Sequence, residues 1–173
     1  RVAALTEFNR GKLSDLVALL SGRNFETRDN HKDIADESFK KLEKGVYKFT
    51  REYHFKHFVQ DILRASGYKY KEMFGSKNVI NYVYAVYLRA RDIGEDTVIA
   101  NKYTKRLLVL SLLTGRHSGS FETLFEHDIK QIVKKGDLEK FIKTIEEQTL
   151  TDIYWTSTLP DEFNKTNITS PYW

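Results

Sequence analysis

The sequence contains no cysteine, which excludes disulfide scaffolds, thiolate zinc sites and cysteine nucleophiles. It has no stretch approaching the roughly 18 consecutive apolar residues of a membrane span, which excludes an integral membrane protein. It also lacks a Gly-x-x-x-x-Gly-Lys phosphate loop and a Gly-x-Ser-x-Gly nucleophile turn. No pair of carboxylates stands out as a general acid and base. The sequence therefore contains no recognisable active site.

Residues that interrupt helices are also scarce, with two prolines and nine glycines among 173 residues. Hydrophobic residues make up 40% of the chain, which is enough for a core, since a domain of this size buries about two-thirds of its unfolded surface. Lys, Glu, Leu and Ile are common and favour helix over strand. The composition predicts an all-α protein: a compact bundle of about six to eight helices with short connections and an irregular C-terminal tail.

Apolar spacing and glycine stop signals divide the chain into three parts. We expect a helix and loop over 1–30, a helical bundle over 31–160 and a polar tail over 161–173. The first residues, Arg-Val-Ala-Ala, include no starting Met and no signal pattern. We therefore expect a cytoplasmic piece of a longer protein, with further domains upstream and downstream. The predicted helices cover about 5–20, 31–49, 55–67, 76–91, 97–114, 118 or 120 to 136, and a segment starting at Asp137.

Two helices have features that predict their positions in the bundle. The run 107–113 is apolar almost all round, which is typical of a helix at the buried centre of a bundle. The helix over 76–91 is rich in tyrosine, with Tyr82, Tyr84 and Tyr87 near its apolar stripe. After Pro160 we expect irregular backbone.

Positive charge is concentrated in the middle of the chain. Residues 40–116 contain 16 Lys and Arg against 7 Asp and Glu, whereas the net charge of residues 117–173 is −4. Within this basic middle, Lys69, Lys71 and Lys77 are interleaved with aromatic residues. This pattern is typical of a surface that follows a phosphate backbone. The alternative is that these lysines belong to solvated helix faces.

Histidines offer two weaker candidates for chemistry. His54 and His57 are three residues apart and so share a helical face, but no third metal ligand has a diagnostic spacing. We expect an aromatic and basic surface there rather than a metal site. The pair His127-Asp128 also occurs in metal phosphohydrolases, but a bare dipeptide is a weak signal. We therefore predict no metal and no catalytic residue in this chain.

The most distinctive segment is 112–123, which joins two predicted helices through a turn rich in glycine and serine. Helix N-terminal amides near Arg116 would form an anion site, with Ser118 and Ser120 as further contacts. The alternative is a structural corner in which Arg116 binds the last carbonyls of the preceding helix or the carboxylate of Asp128. The remaining residues assigned to this corner are Gly115, Gly119 and Glu122.

The same segment carries a resemblance to a known family. Its Thr-Gly-Arg-x-Ser-Gly-Ser core, followed by an acidic residue, resembles the helical region of the bacterial GmrSD-type restriction endonuclease family. These proteins pair a ParB/sulfiredoxin-like N-terminal domain with an HNH nuclease domain. Weaker similarity covers about four-fifths of the chain, in the segments 39–49, 58–67, 78–89, 110–128, 150–152, Trp155, 159–160 and 170–172. His117 departs from the family, which usually has Tyr there, and Phe121 stands where Pro is common.

The resemblance implies a role in a modification-dependent restriction system that defends against phage DNA. The NTP-linked and nuclease motifs of that family occur in its other domains and not in this chain. We therefore expect this region to have no catalysis or cofactor of its own, while the parent protein would use an NTP and a divalent metal. Its expected partners are DNA and the flanking domains of the same polypeptide.

A second hypothesis assigns the chain to a different class. It would be a structural module without nucleic-acid contact, which forms a homodimer or docks the flanking domains. The tyrosine-rich helix over 76–91 and the segment from Tyr154 would supply the contact surface.

Overall fold

The computed structural model describes residues 1–25, 27–117 and 119–165. Over these residues the chain forms nine α-helices and no strand, which confirms the predicted all-α bundle. No described helix is long and apolar enough to cross a membrane. The helices are α1 (Val2–Phe8), α2 (Leu13–Leu20), α3 (Lys32–Phe49), α4 (Glu52–His57), α5 (Lys77–Asp92), α6 (Thr97–Leu113), α7 (Phe121–Lys135), α8 (Leu138–Thr149) and α9 (Leu159–Lys165).

Short segments of other helical types complete the chain. Two have the wider π-helical hydrogen bonding, at Phe58–Leu63 after α4 and at Tyr154–Thr158 before α9. Two are 3-10 turns, at Arg64–Ser66 and Lys71–Met73. The expected break near 50–52 is confirmed, because α3 ends at Phe49 and α4 begins at Glu52.

Helix α5 forms the centre of the bundle, with nine of its residues buried. It packs against α1, α6 and α7. The run 107–113 of α6 is buried at Leu107, Leu108, Leu110 and Ser111, and only partly buried at Val109, Leu112 and Leu113. Tyr82, Tyr84 and Tyr87 are all buried in the core, so they do not form a contact surface.

The N-terminal region contains two helices instead of the one predicted over 5–20. Helix α1 ends at Phe8, and the next residue, Asn9, has a left-handed backbone conformation with a φ of 52°. The predicted apolar stripe of α2 is helical but not buried, and Leu13 and Val17 are exposed. Instead, α1 inserts between α3 and α5 and buries its residues from Val2 to Thr6.

Helix α3 lies on the surface and meets α1 through small side chains. Its only buried residues within the described chain are Ser38 and Gly45, whereas Phe39 and Val46 of its apparent apolar stripe are exposed. A Cβ atom at Gly45 would lie 2.9 Å from the Cβ atom of Ala3. The two helix backbones therefore approach closely because no side chain separates them there.

The chain does not become irregular at Pro160, as expected from the sequence, since α9 continues to Lys165. Pro160 is the second residue of α9 and follows a π-helical turn. The helical backbone is continuous from Asp152 through this π-helical turn into α9, and the wider turn lies next to the residue that has no amide N–H to donate. The rest of the predicted tail, residues 166–173, lies outside the described residues.

We predict that Gly45→Ala destabilises the protein. A methyl group would overlap Ala3, and overpacking costs about 1–3 kcal/mol, which exceeds the roughly 1 kcal/mol that alanine gains over glycine in a helix. Urea unfolding should show a net loss of up to about 2 kcal/mol in the free energy of unfolding. The control Gly75→Ala, where no atom lies within 4 Å of a new Cβ, should be neutral or slightly stabilising. A more stable Gly45→Ala protein would contradict this packing.

Candidate functional site

The distinctive segment forms a tight corner between α6 and α7. Gly115 turns the chain with a φ of 59°, a conformation that favours glycine, and α7 begins at Phe121. The corner brings Arg116 and His117 against Asp128, which lies on the buried face of α7. We refer to Tyr82, Arg116, His117 and Asp128 as the Asp128 cluster.

Asp128 is fully buried and its carboxylate receives hydrogen bonds from two directions. The guanidinium of Arg116 donates to both carboxylate oxygens, at 3.0 and 3.2 Å. The hydroxyl of Tyr82, on α5, donates to Oδ2 at 2.8 Å. Of the two roles considered for Arg116, this geometry favours the structural corner, because the carboxylate neutralises the guanidinium charge.

The ionisation of the cluster follows from its burial and its charges. Burial alone would raise the pKa of Asp128, but the His117 ring, the charge of Arg116 and the hydroxyl of Tyr82 outweigh it and lower the pKa. Burial raises the pKa of Tyr82 well above its usual value, and the neighbouring carboxylate acts in the same direction. Asp128 is therefore an anion and Tyr82 a neutral donor at neutral pH.

His117 is buried against a pair of stacked aromatic rings. Its ring centre lies 4.8 Å from those of both Tyr82 and Phe125, which themselves stack at 4.4 Å. Neither ring nitrogen has a hydrogen-bond partner, and Nε2 lies 3.9 Å from Asp128 Oδ2, which is too far for a hydrogen bond. Burial is the largest influence and lowers the pKa of His117.

The other residues assigned to the corner have separate surroundings. Glu122 forms an ion pair with Arg1 at 3.0 Å, so it ties α7 to the N-terminus. Ser120 immediately precedes α7, but its side chain makes no capping hydrogen bond. A Cβ atom at Gly119 would have no neighbour within 4 Å. Ser118 lies outside the described residues.

Two lysines of the predicted basic surface, Lys69 and Lys77, are exposed. The side chain of Lys71 lies outside what the structure describes. A different set of basic residues, unpredicted from the sequence, does come together.

These residues line a cavity of about 390 Å³ between α3, α4 and α5, which we call the basic cleft. Four cations and one carboxylate, Asp92, line it together with the ring of Tyr47 and with His54. The cations are Lys44 and Lys48 of α3, Arg51 just before α4, and Arg91 of α5.

Two of the four cations lack an acidic partner. Lys44 and Lys48 form ion pairs with Glu7, and Lys48 also contacts Asp92. Arg51 and Arg91 form no ion pair with any residue in the described part of the chain. The basic cleft therefore presents two positive charges that no described carboxylate neutralises.

His54 adds a further polar group to the cleft. Its Nδ1 atom is buried and has no hydrogen-bond partner. Burial, followed by the charges of Arg51, Arg91 and Lys48, lowers the pKa of His54. The protonated form of His54 is therefore disfavoured, first by burial and then by the neighbouring positive charges.

Neither histidine candidate, the pair His54 and His57 or the pair His127 and Asp128, belongs to a metal site among the described residues. His57 turns to Asp61, with Nδ1 2.6 Å from the carboxylate, and His127 is mostly exposed. No group of three or more potential ligands able to hold a metal ion occurs among the residues described. Tyr53 contacts the rings of both His54 and His57, which agrees with the expected aromatic and basic surface.

Comparison with protein-family models, curated proteins and solved structures finds no match to this chain.

We predict that Arg116→Ala unfolds the corner. Removing one partner of a buried ion pair typically costs about 3–5 kcal/mol, because the other charge stays buried without compensation. The control Lys143→Ala breaks the exposed pair with Glu139 and should cost less than about 1 kcal/mol. Urea unfolding measures both. An Arg116→Ala protein of unchanged stability but weakened DNA binding would support the anion site instead.

We also predict an acid-sensitive step that depends on His117. Its folded pKa lies below the ordinary value of 6.5, so the unfolded chain binds more protons as the pH falls below 6.5. The free energy of unfolding should therefore fall with pH there, by at most about 1.4 kcal/mol per pH unit for one proton. His117→Phe should remove this component of the fall, whereas His31→Gln, at an exposed histidine, should retain it. Identical pH profiles for wild type and His117→Phe would contradict the prediction.

Proposed function

We propose that this chain is a non-catalytic, DNA-binding helical region of a restriction-like protein that defends against phage DNA. The observation that carries the proposal is the basic cleft, with the unpaired guanidinium groups of Arg51 and Arg91. Phosphate contacts supply most of the sequence-independent affinity of proteins for DNA. One guanidinium group can donate two parallel hydrogen bonds to the oxygens of a phosphate. The restriction context rests on the family resemblance of the 112–123 segment.

The position of the cleft supports this assignment. It lies within the basic middle of the chain and is bordered by the exposed ring of Tyr47, over which the Arg51 guanidinium sits at 5.6 Å. This contact holds Arg51 at the mouth of the cleft without neutralising its charge. In this proposal the cleft grips the DNA backbone, and the Asp128 cluster fixes the bundle around it.

A second candidate function, an interaction module that forms a dimer or docks a flanking domain, is favoured by another observation. Large apolar side chains are exposed near the end of the described chain, at Ile153, Trp155 and Phe163. The tyrosines of α5 do not contribute to such a surface, since they are buried.

We predict that the double substitution Arg51→Gln/Arg91→Gln weakens binding of duplex DNA. Loss of one hydrogen bond to a charged group costs about 1.5 kcal/mol or more, so affinity should fall at least about tenfold. The slope of log affinity against log salt should decrease by about 2, because two phosphate contacts are lost. Fluorescence anisotropy of a labelled duplex at several salt concentrations measures both quantities.

The matched control is Lys40→Gln/Lys134→Gln, which removes the same charge at two exposed lysines outside the cleft. It should leave affinity within about twofold, since diffuse surface charge contributes little at a distance. Equal loss in both double variants would reject the cleft as the binding site. Absence of DNA binding by the wild type, together with a dimer in light scattering, would favour the interaction module.

A further inference from the structure

A second cavity, separate from the basic cleft, lies beside α6. Its volume is about 480 Å³, which is within the range of small-molecule sites. It is bounded by α6, the end of α8, the turn Arg64–Ser66 and the segment Tyr154–Thr158. We call it the Trp155 cavity.

The walls of the Trp155 cavity are mostly apolar. Aliphatic side chains of α6 and the residues after α8 form one wall, and the rings of Tyr154 and Trp155 form the other. The Trp155 side chain is about half exposed, at 52%. The cavity therefore offers an apolar surface that a ligand with an aliphatic body would cover.

The polar groups of the cavity favour an anionic head group. Lys105 lines the cavity and forms no ion pair with a described residue. The neighbouring Arg106 is already engaged by both carboxylate oxygens of Glu146. Ser66 Oγ is buried at the cavity without a hydrogen-bond partner, and such a group calls for an acceptor or donor from outside the chain.

Rare backbone geometry occurs on both sides of the same cavity. The π-helical segment Phe58–Leu63 leads directly into Ala65 and Ser66, and Tyr154 and Trp155 belong to the second π-helical segment. Single π-helical turns are rare in proteins, and many of those that occur are at functional sites. This is an observation independent of the polar groups, and it points to the same place.

We propose that the Trp155 cavity binds a small amphipathic carboxylate. Its aliphatic body packs against Leu110, Leu113 and Trp155, its carboxylate pairs with Lys105, and Ser66 supplies a hydrogen bond. This inference goes beyond the proposed DNA binding and does not rest on it, because the two cavities share no lining residue.

The test uses the tryptophan of the cavity as its reporter. The 173-residue chain carries Trp173→Phe, so that Trp155 is the sole tryptophan, and is titrated with decanoate, decanol or decyltrimethylammonium below their micelle concentrations. We expect decanoate to change the emission of Trp155 and to bind about tenfold more tightly than decanol, since a charge-assisted pair contributes about 1.5 kcal/mol or more. Decyltrimethylammonium should bind most weakly.

Three variants test whether Lys105 binds the carboxylate and whether the ligand occupies the Trp155 cavity. Lys105→Gln should reduce the affinity for decanoate to that for decanol, whereas Lys102→Gln, on the same helix but outside the cavity, should leave it unchanged. Ala65→Trp should fill the cavity and abolish binding of both. Equal affinity for decanoate and decanol, or equal effects of the two lysine variants, would overturn the proposal. An emission change that depends on protein concentration alone would show a second copy as the occupant and would also overturn it.

Discussion

The arrangement of this bundle depends on one buried charge. Asp128 is enclosed by protein, and an ionised carboxylate is tolerated there only with strong hydrogen-bond donors around it. Its donors come from two different places, Tyr82 from α5 and Arg116 from the corner between α6 and α7. Satisfying one carboxylate thus fixes the corner and the central helix relative to α7. The stacking of Tyr82 on Phe125 follows from that placement.

Two groups of arginines differ in their partners. Some join helices through ion pairs, and others form no ion pair with a described residue. Arg1 and Arg10 hold the N-terminal region against α7 through Glu122 and Glu126, and Arg106 joins α6 to Glu146 of α8. These guanidinium groups act as connections between helices. In the basic cleft Arg51 and Arg91 line one cavity without an ion pair to a described carboxylate, although Arg91 donates a hydrogen bond to the hydroxyl of Thr97.

Local pattern predicted most of the helices, because apolar spacing and glycine stops act within a few turns. It predicted the helix starting at Asp137, whose carboxylate caps α8, and the stop at Gly136. It did not predict which apolar residues are buried, since Phe39 and Val17 have helical apolar spacing and yet are exposed. Burial depends on neighbours that are distant in sequence.

The candidate site divides in the same way. The Arg116 and Asp128 pair was among the alternatives because a single corner separates the two residues. The basic cleft was missed because Arg51 and Arg91 are 40 positions apart, and only the tertiary fold brings both to the wall of one cavity. The concentration of positive charge between residues 40 and 116 was the one sequence signal that included them.

The burial of α1 has a consequence for how the chain reaches its native state. Arg1 pairs with Glu122, 121 positions later, and the apolar face of α1 is covered only when α3, α5 and α7 are in place. On the ribosome, α1 emerges long before α7 exists. The apolar face of α1 therefore stays uncovered on the nascent polypeptide until these later helices have been synthesised.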